Sequence, residues 1–557
     1  MQIPLALNGM TIMRDVRLFA LGLTTAIGLV ALAGFPASLS AQTPAAAPPP
    51  KITPLGPKLK CNAAAFDPPP AFSDRFPGPL AVPGPLNGIL PLSAKDTADI
   101  LNSDLPCQER VSTGGPEKAV LENLQRGFDF YSWRTFIALN APADGKTTID
   151  HAEANMPTRW EDMDNFKQLA DVMLPVGTAA ATWPTDRKGI EDERNRLVPE
   201  GCKTLHQQMP KRMIVKMIEE SFNEPFKTGP LIDQQGHYAI FDILMNRQMF
   251  NYIKLNHLDT KAGQMSTANA GLAVDFPPGQ NATGELGAFM LKVSWKILGP
   301  EEIKAGNFHM VDALVSMPIR EGSKAKPPCL PETLGLIGFH AVHKTLTRPQ
   351  WIWTSFEHIQ NVPDRNEVNA KTFHGPYNFF SVNCKDDCAT ENATPPRQFW
   401  QPDLALKLKF GDQFRSQIVR EMPLTDAAKH MNDIFHALLQ GTVWEHYMLL
   451  STQWPSNFPC TALHSQSAEP PAPKTDFQKQ PDMTCSPAPV FFANSTLETY
   501  SQVESVKGVP EGVPLASSSC IACHGNAVSF QTGASNQKPG ELRLNQSDFT
   551  FILEKAK

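Results

Sequence analysis

The 557-residue sequence predicts an α+β fold: a sheet-containing body with flanking helices, followed by a mostly helical C-terminal segment. Three observations predict it. Between about Leu231 and His358 the apolar period shortens towards two, in runs parted by Gly, Pro and Asn-rich turns. On either side, Glu117 to Asn140 and the run after Thr425 keep the spacing of amphipathic helices. The 51 prolines against 6 tyrosines call for long irregular connections between these packed elements.

Arg14 and Arg17 precede the apolar run Leu18 to Gly34, and small residues surround Ala41, which is the pattern of a cleaved export signal over residues 1–41. Left uncleaved, that run approaches the ~20 residues that span a bilayer and would act as an anchor. No later run is apolar enough to span. Residues 42–94 are a Pro/Ala-rich extended segment, so folding is expected to begin near residue 95. An α+β body over 95–453, a Pro-rich loop over 454–490 and a C-terminal segment over 491–557 follow.

Within the body, Val120, Leu121, Leu124, Phe128, Tyr131 and Phe136 share one helical face of Glu117 to Asn140, which ends before Pro142. HYAIFDILMN, GAFMLKVSWKIL, FHMVDALVSM, TLGLIGFHAVHKT and QWIWTSFEHI read as strands. In LGLIGFHAVH both alternating faces are apolar, with Leu334, Leu336 and Val342 on one and Ile337, Phe339 and Ala341 on the other. That predicts a central strand covered on both sides, with His340 and His343 facing opposite ways. Thr425 can cap a helix running to just before Trp454, with Gly441 as its weak point. Its stripe of Met431, Phe435, Leu438, Leu439, Val443 and Leu450 takes in His446 and leaves out His430.

Loss of residues 1–41 removes two of the 50 basic and one of the 56 acidic groups, turning a net charge of −6 into −7. No basic run is present. Binding to nucleic acid releases counterions through clustered lysine and arginine, so no nucleic-acid partner is expected. No dinucleotide fingerprint or phosphate-cradling glycine loop supports a flavin or nicotinamide site.

Ten cysteines in an exported chain imply an oxidising compartment, where thiols pair or are otherwise occupied. Apart from Cys520 and Cys523 there are eight: Cys61, Cys107, Cys202, Cys329, Cys384, Cys388, Cys460 and Cys485. They suffice for up to four disulfides. Cys460 and Cys485 bracket the Pro-rich loop, whose loose ends a cross-link would restrain most, and are the expected pair.

Cys520-Ile521-Ala522-Cys523-His524 has the C-x-x-C-H spacing of covalent haem attachment. Two thiols a short turn apart can add to two haem vinyl groups, and the histidine directly after reaches the iron from one face. A structural disulfide, a thioredoxin-like redox pair and a zinc site joining Cys384 and Cys388 to Cys520 and Cys523 compete for the same residues. The redox pair lacks a strand-to-helix context, and the zinc site needs reduced thiols.

From about Leu497 to Lys557 the chain resembles the c-type cytochromes, through this pentapeptide and through SDFTFILEKA, which looks like the closing helix of a small cytochrome with Ser547 as its cap. More loosely, the body is similar to uncharacterised bacterial proteins of the cytochrome c family, in SWRTFIALN, GFHAVHKT, PQWIWTSFEH and NSTLETY. The resemblance implies one covalent haem c on Cys520 and Cys523, with His524 as axial iron ligand. It implies a periplasmic or secreted protein with an electron-transfer role, acting on a redox partner protein or a small-molecule substrate. It brings no specific activity.

In one respect the chain departs from that family. Small cytochromes c take their second axial ligand from a methionine well downstream, whereas residues 525–557 contain neither methionine nor histidine. The sixth position is then open, or filled from upstream, with His446 the first candidate and His340, His343 and His358 next, or filled by Lys538. Two strong ligands suit electron transfer; an open position suits a peroxidase-type or oxygenase-type haem enzyme or a small-ligand sensor. The single C-x-x-C-H weighs against the two-haem peroxidases and oxygenases. In WIWTSFEH alternation sets Trp351, Trp353 and Glu357 on one face and His358 on the other, so Glu357 and His358 cannot act as a pair. HAVHK lacks the spacing of the H-E-x-x-H zinc pattern.

Overall fold

The alternating runs are strands. In chain order they are β1 (Cys61–Asn62), β2 (Leu105–Pro106), β3 (Phe166–Gln168), β4 (Met213–Lys216), β5 (Ile240–Asn246), β6 (Gly279–Gln280), β7 (Glu285–Leu286), β8 (Phe289–Ile297), β9 (Met310–Ser316), β10 (Cys329–Thr345), β11 (Arg348–His358), β12 (Tyr447–Pro455) and β13 (Pro487–Ala488). The computed structural model describes residues 59–62, 94–109, 117–217, 229–269, 274–317, 326, 328–384, 389–395, 415–455, 487–489, 492–502, 519–525, 527–530 and 547–557. The expected signal, Lys538, and the expected pair Cys460 and Cys485 lie outside the described residues.

Nine strands form one sheet, in the order β13-β12-β11-β10-β8-β5-β3, with β9 on the first half of β10 and β4 beyond it. Its ladders are antiparallel except for the parallel pair of β4 with β9. β10 lies centrally, and Leu334, Leu336, Ile337, Phe339, Ala341 and Val342 are all buried, as two apolar faces require. Its faces differ from strict alternation. Leu336 pairs with Trp295 and Gly338 with Ser294, leaving Ile337 as the extra residue of a β-bulge. Leu334 and Leu336 therefore share a core with Phe339 and Ala341, while Ile337 and Val342 pack elsewhere. Gly338 fits the bulge because a Cβ there would lie 2.3 Å from Thr496 Oγ1 and 2.4 Å from Ser294 Oγ.

The helices that matter for the site are α1 (Ala94–Leu101), α2 (Glu117–Asn140), α3 (Arg247–Leu255), α4 (Asp426–Leu438) and α5 (Cys520–His524). α2 and α4 share one face of the sheet, where Trp133 stacks on Phe435 at 4.7 Å and meets Phe356 edge-on at 4.8 Å. Thr425 caps α4 as expected, accepting from the Ala428 amide at 3.1 Å. The helix stops well short of Trp454. Gly441 takes φ +83°, a short 3-10 turn covers Val443–His446, and Tyr447 onward becomes β12 because β11 offers it a hydrogen-bonded neighbour.

Order also begins upstream of residue 95. A disulfide from Cys61 to Cys107 fastens β1 beside β2, and a second joins Cys202 to Cys329. Cys384 is disulfide-bonded as well. These bonds fit a protein of an oxidising compartment. Among the described residues no helix is long and apolar enough to cross a membrane.

Candidate functional site

α5 sits on the face of the sheet opposite α2. Ile521 is its anchor: the side chain is buried with Trp351, Trp353, Phe549 and Leu553, and its amide donates to Gln453 Oε1 at 2.8 Å. One helical turn places Cys520 and Cys523 side by side, and both thiols are free and half-buried. Burial, and then the negative charge of Glu498, push the Cys523 thiol up to about 12, and Cys520 rises for the same reasons. Both stay protonated at neutral pH, the opposite of an activated redox thiol.

His524 lies against Trp353 at 4.5 Å and Phe551 at 5.0 Å between ring centroids. Its Nδ1 is 2.9 Å from the Phe549 carbonyl oxygen. A carbonyl can only accept, so Nδ1 carries the hydrogen and Nε2 keeps its lone pair. Burial pushes the imidazole down to about 4, so the ring is neutral at pH 7.

The Phe549 carbonyl is aimed by a turn that sequence reading mistook for a helix. Asp548 and Phe549 have φ of +50° and +61°, a left-handed pair that interrupts any helix through SDFTFILEKA. Only Phe551–Lys555 winds, as a 3-10 turn, and Thr550 rather than Ser547 caps it, accepting from the Ile552 amide. Ser547 Oγ instead donates to the Thr550 carbonyl at 2.6 Å. Asp548 holds the turn down. Its Oδ2 accepts from the Phe276 amide at 2.8 Å and from Lys344 Nζ at 2.6 Å, and Lys344 also reaches Asp275 at 2.5 Å.

On the same face, Glu498 Oε2 lies 3.3 Å from His340 Nε2, and Glu498 Oε1 lies 3.6 Å from Lys292 Nζ. The charges of Glu498 and Lys292 act on Cys520, Cys523 and His524. NSTLETY supplies Glu498 and ties itself to the strands. Asn494 Nδ2 donates to Ser355 Oγ and the Phe356 carbonyl, Ser495 caps Glu357, and Thr496 Oγ1 meets Ser294 Oγ at 2.9 Å. GFHAVHKT, PQWIWTSFEH and NSTLETY thus come together around the C-x-x-C-H helix, while SWRTFIALN lies within α2 across the sheet.

The upstream histidines separate cleanly. His446 is in the 3-10 turn before β12, and the inward stripe that favoured it disappears with the helix. Tyr447 pairs with His358 and Gln453 with Trp353, so His446 is about 20 Å along the strand from the α5 end, at ~3.3 Å per residue. His358 is beside it, 6.1 Å between rings, with Nε2 bonded to the Asn307 carbonyl at 3.0 Å. His343 faces α2, where its Nδ1 is hydrogen-bonded to the Tyr131 hydroxyl at 2.6 Å. His340 faces the other way, as predicted, and that face is the one α5 occupies. Trp351, Trp353 and Glu357 likewise share one face and His358 takes the other; Glu357 is consumed by a buried ion pair with Arg420.

A disulfide-bonded Cys384 has no thiolate to offer zinc, and among the described residues no cluster of three or more His, Cys, Asp or Glu is placed to hold a metal ion. The donor set that is present, two free thiols at i and i+3 followed by a histidine with an available Nε2, fits a covalently attached haem. Sequence reading found those three residues and missed Glu498, Lys344, Asp548 and Phe549. The first lay in a phrase read only for its resemblance, and the others act through a turn no periodicity marks. No protein-family model, curated protein or solved structure matches the chain.

Proposed function

We propose that the chain is an exported mono-haem c-type protein with a redox, electron-transfer role, in which Cys520 and Cys523 bind haem c and His524 is an axial ligand. One observation carries this reading. Every other described cysteine is in a disulfide, yet the two thiols of α5 stay free beside a histidine whose Nε2 lone pair has been left available. Each thiol can add across a vinyl double bond with no leaving group, and the haem, once bound, supplies one-electron chemistry.

The protein's own part is positional. The Phe549 carbonyl fixes the His524 tautomer and increases the basicity of Nε2, and Trp353 and Phe551 confine the ring. Raised thiol pKa values argue against a thioredoxin-like pair.

The test is the full chain matured in bacteria that express the haem c attachment machinery. Wild type should keep its haem through denaturing electrophoresis, and a Cys520→Ala/Cys523→Ala double variant should carry none. Haem absent from the wild type, or retained covalently by the double variant, refutes the assignment.

A further inference from the structure

Resting on the haem reading, we propose that His340 supplies the sixth ligand to the iron, making the centre bis-histidine, low-spin and closed to exogenous ligands. Residues 525–557 contain no methionine or histidine, so apart from Lys538, which lies outside the described residues, a donor has to come from upstream. The sheet then sorts the upstream histidines by face and by end. His343 is on the wrong face, engaged with Tyr131, and His358 and His446 are at the far end of β11 and β12. His340 alone among the four shares the face of α5.

Its placement is close. His340 pairs with Ser355, two residues along β11 from Trp353, whose ring touches His524. A diagonal neighbour on one face is ~7–8 Å away, within reach of long side chains. The His340 ring is buried, and its Nε2 is paired with Glu498 Oε2 at 3.3 Å, a long contact that an iron could replace. Facing a carboxylate, Nε2 carries a hydrogen; once that hydrogen is lost, the neutral ring offers a lone pair that a metal ion accepts. Glu498 does not depend on it, since Oε2 also accepts from the Asn494 amide at 3.1 Å and Oε1 faces Lys292.

Two methionines on this face are the rival donors. Met290 sulfur already accepts from the Thr550 hydroxyl at 3.5 Å. Met448 pairs with Glu357 and belongs to a cluster of Leu450 and Phe492 against which Cys520 packs, so it is the rival that the experiment has to exclude.

The experiment is the absorption spectrum of the haem-bearing full chain, ferric and ferrous, with and without carbon monoxide, for wild type, His340→Ala and Met448→Leu. Wild type and Met448→Leu should be low-spin and unmoved by carbon monoxide. His340→Ala should turn high-spin and bind carbon monoxide, and added imidazole should restore the low-spin spectrum. Near-infrared magnetic circular dichroism of the unmutated ferric protein gives the ligand pair without any variant, and should report two imidazoles. A haem-bearing wild type that is high-spin, or that shows a methionine or amine ligand, overturns this inference and leaves the haem assignment standing. A wild type with no covalent haem overturns both.

Discussion

Lys344 is the counter-charge for the turn that aims the Phe549 carbonyl at His524, and replacing it by methionine should loosen that turn. Its side chain is 3% exposed, as against 2% for Asp548 and 80% for Asp275. An ion pair with so exposed a partner as Asp275 is worth at most about 1 kcal/mol, so Asp548 is the partner that matters. Lys344→Met leaves the Asp548 carboxylate buried with only the Phe276 amide, and breaking a buried pair in this way costs about 3–5 kcal/mol. The lower end is expected. Burial already raises the Asp548 carboxyl above its ordinary value, and without the ammonium it will take up a proton at the cost of only part of the pair. With its folded pKa raised, the variant should lose stability as pH rises and regain some as pH falls.

The assay is a urea midpoint for the full chain, together with hydrogen exchange of the amides in 547–557. Lys344→Met should speed exchange there more than in β8. Lys344→Met/Asp548→Asn, which removes both charges while keeping an acceptor for the Phe276 amide and a residue that tolerates the positive φ, should recover most of the loss, and the four-way cycle gives the coupling energy. A single variant within about 1 kcal/mol of wild type, or a double variant worse than the sum of the singles, refutes the idea that this ion pair holds the turn.

Two further expectations concern the body. Asp242 is buried against Gln168 Nε2 at 3.0 Å, and burial, with Asp171 adding to it, pushes its carboxyl up to about 8. Between an unfolded value of about 4 and that folded value the native state holds a proton the unfolded chain does not, so stability should fall as pH rises through this window, by up to about 1.4 kcal/mol per unit. Asp242→Asn should lack that slope, so the wild-type-minus-variant difference in urea midpoint should carry it, and a difference flat from pH 5 to 8 would show the carboxyl titrates normally. The Cys202–Cys329 disulfide closes a sequence separation of 127 residues, for which chain entropy gives about 4–5 kcal/mol. Cys202→Ser/Cys329→Ser should lower the midpoint accordingly; no loss would place the restraint elsewhere.

The strands were legible because a half-buried sheet writes its period into the sequence: β5, β8 and β9 fall within the expected runs, while β10 and β11 begin a few residues before theirs. The bulge at Ile337 was not, because a one-residue insertion leaves composition unchanged while exchanging the faces of everything beyond it. His340 and His343 kept their opposed directions because both lie on the same side of the bulge.

The larger misreading was Tyr447 to Pro455, and its cause bears on the site. Apolar residues on both faces of YMLLSTQWP satisfy a helical stripe as readily as a strand buried on both sides, so periodicity cannot decide between them. What decides is the edge of β11, a partner remote in sequence. As a helix, the segment would have turned His446 inward; as a strand, it brings Gln453 level with Trp353, and Gln453 then receives the Ile521 amide of α5. The C-x-x-C-H motif is a local signal, readable from five residues. Its surroundings are long-range: Phe549, Lys344, Glu498 and His340 come from three separate stretches, brought together by the sheet. That is why the motif could be read from the sequence alone, while the neighbours it meets depend on which faces of the sheet those residues occupy.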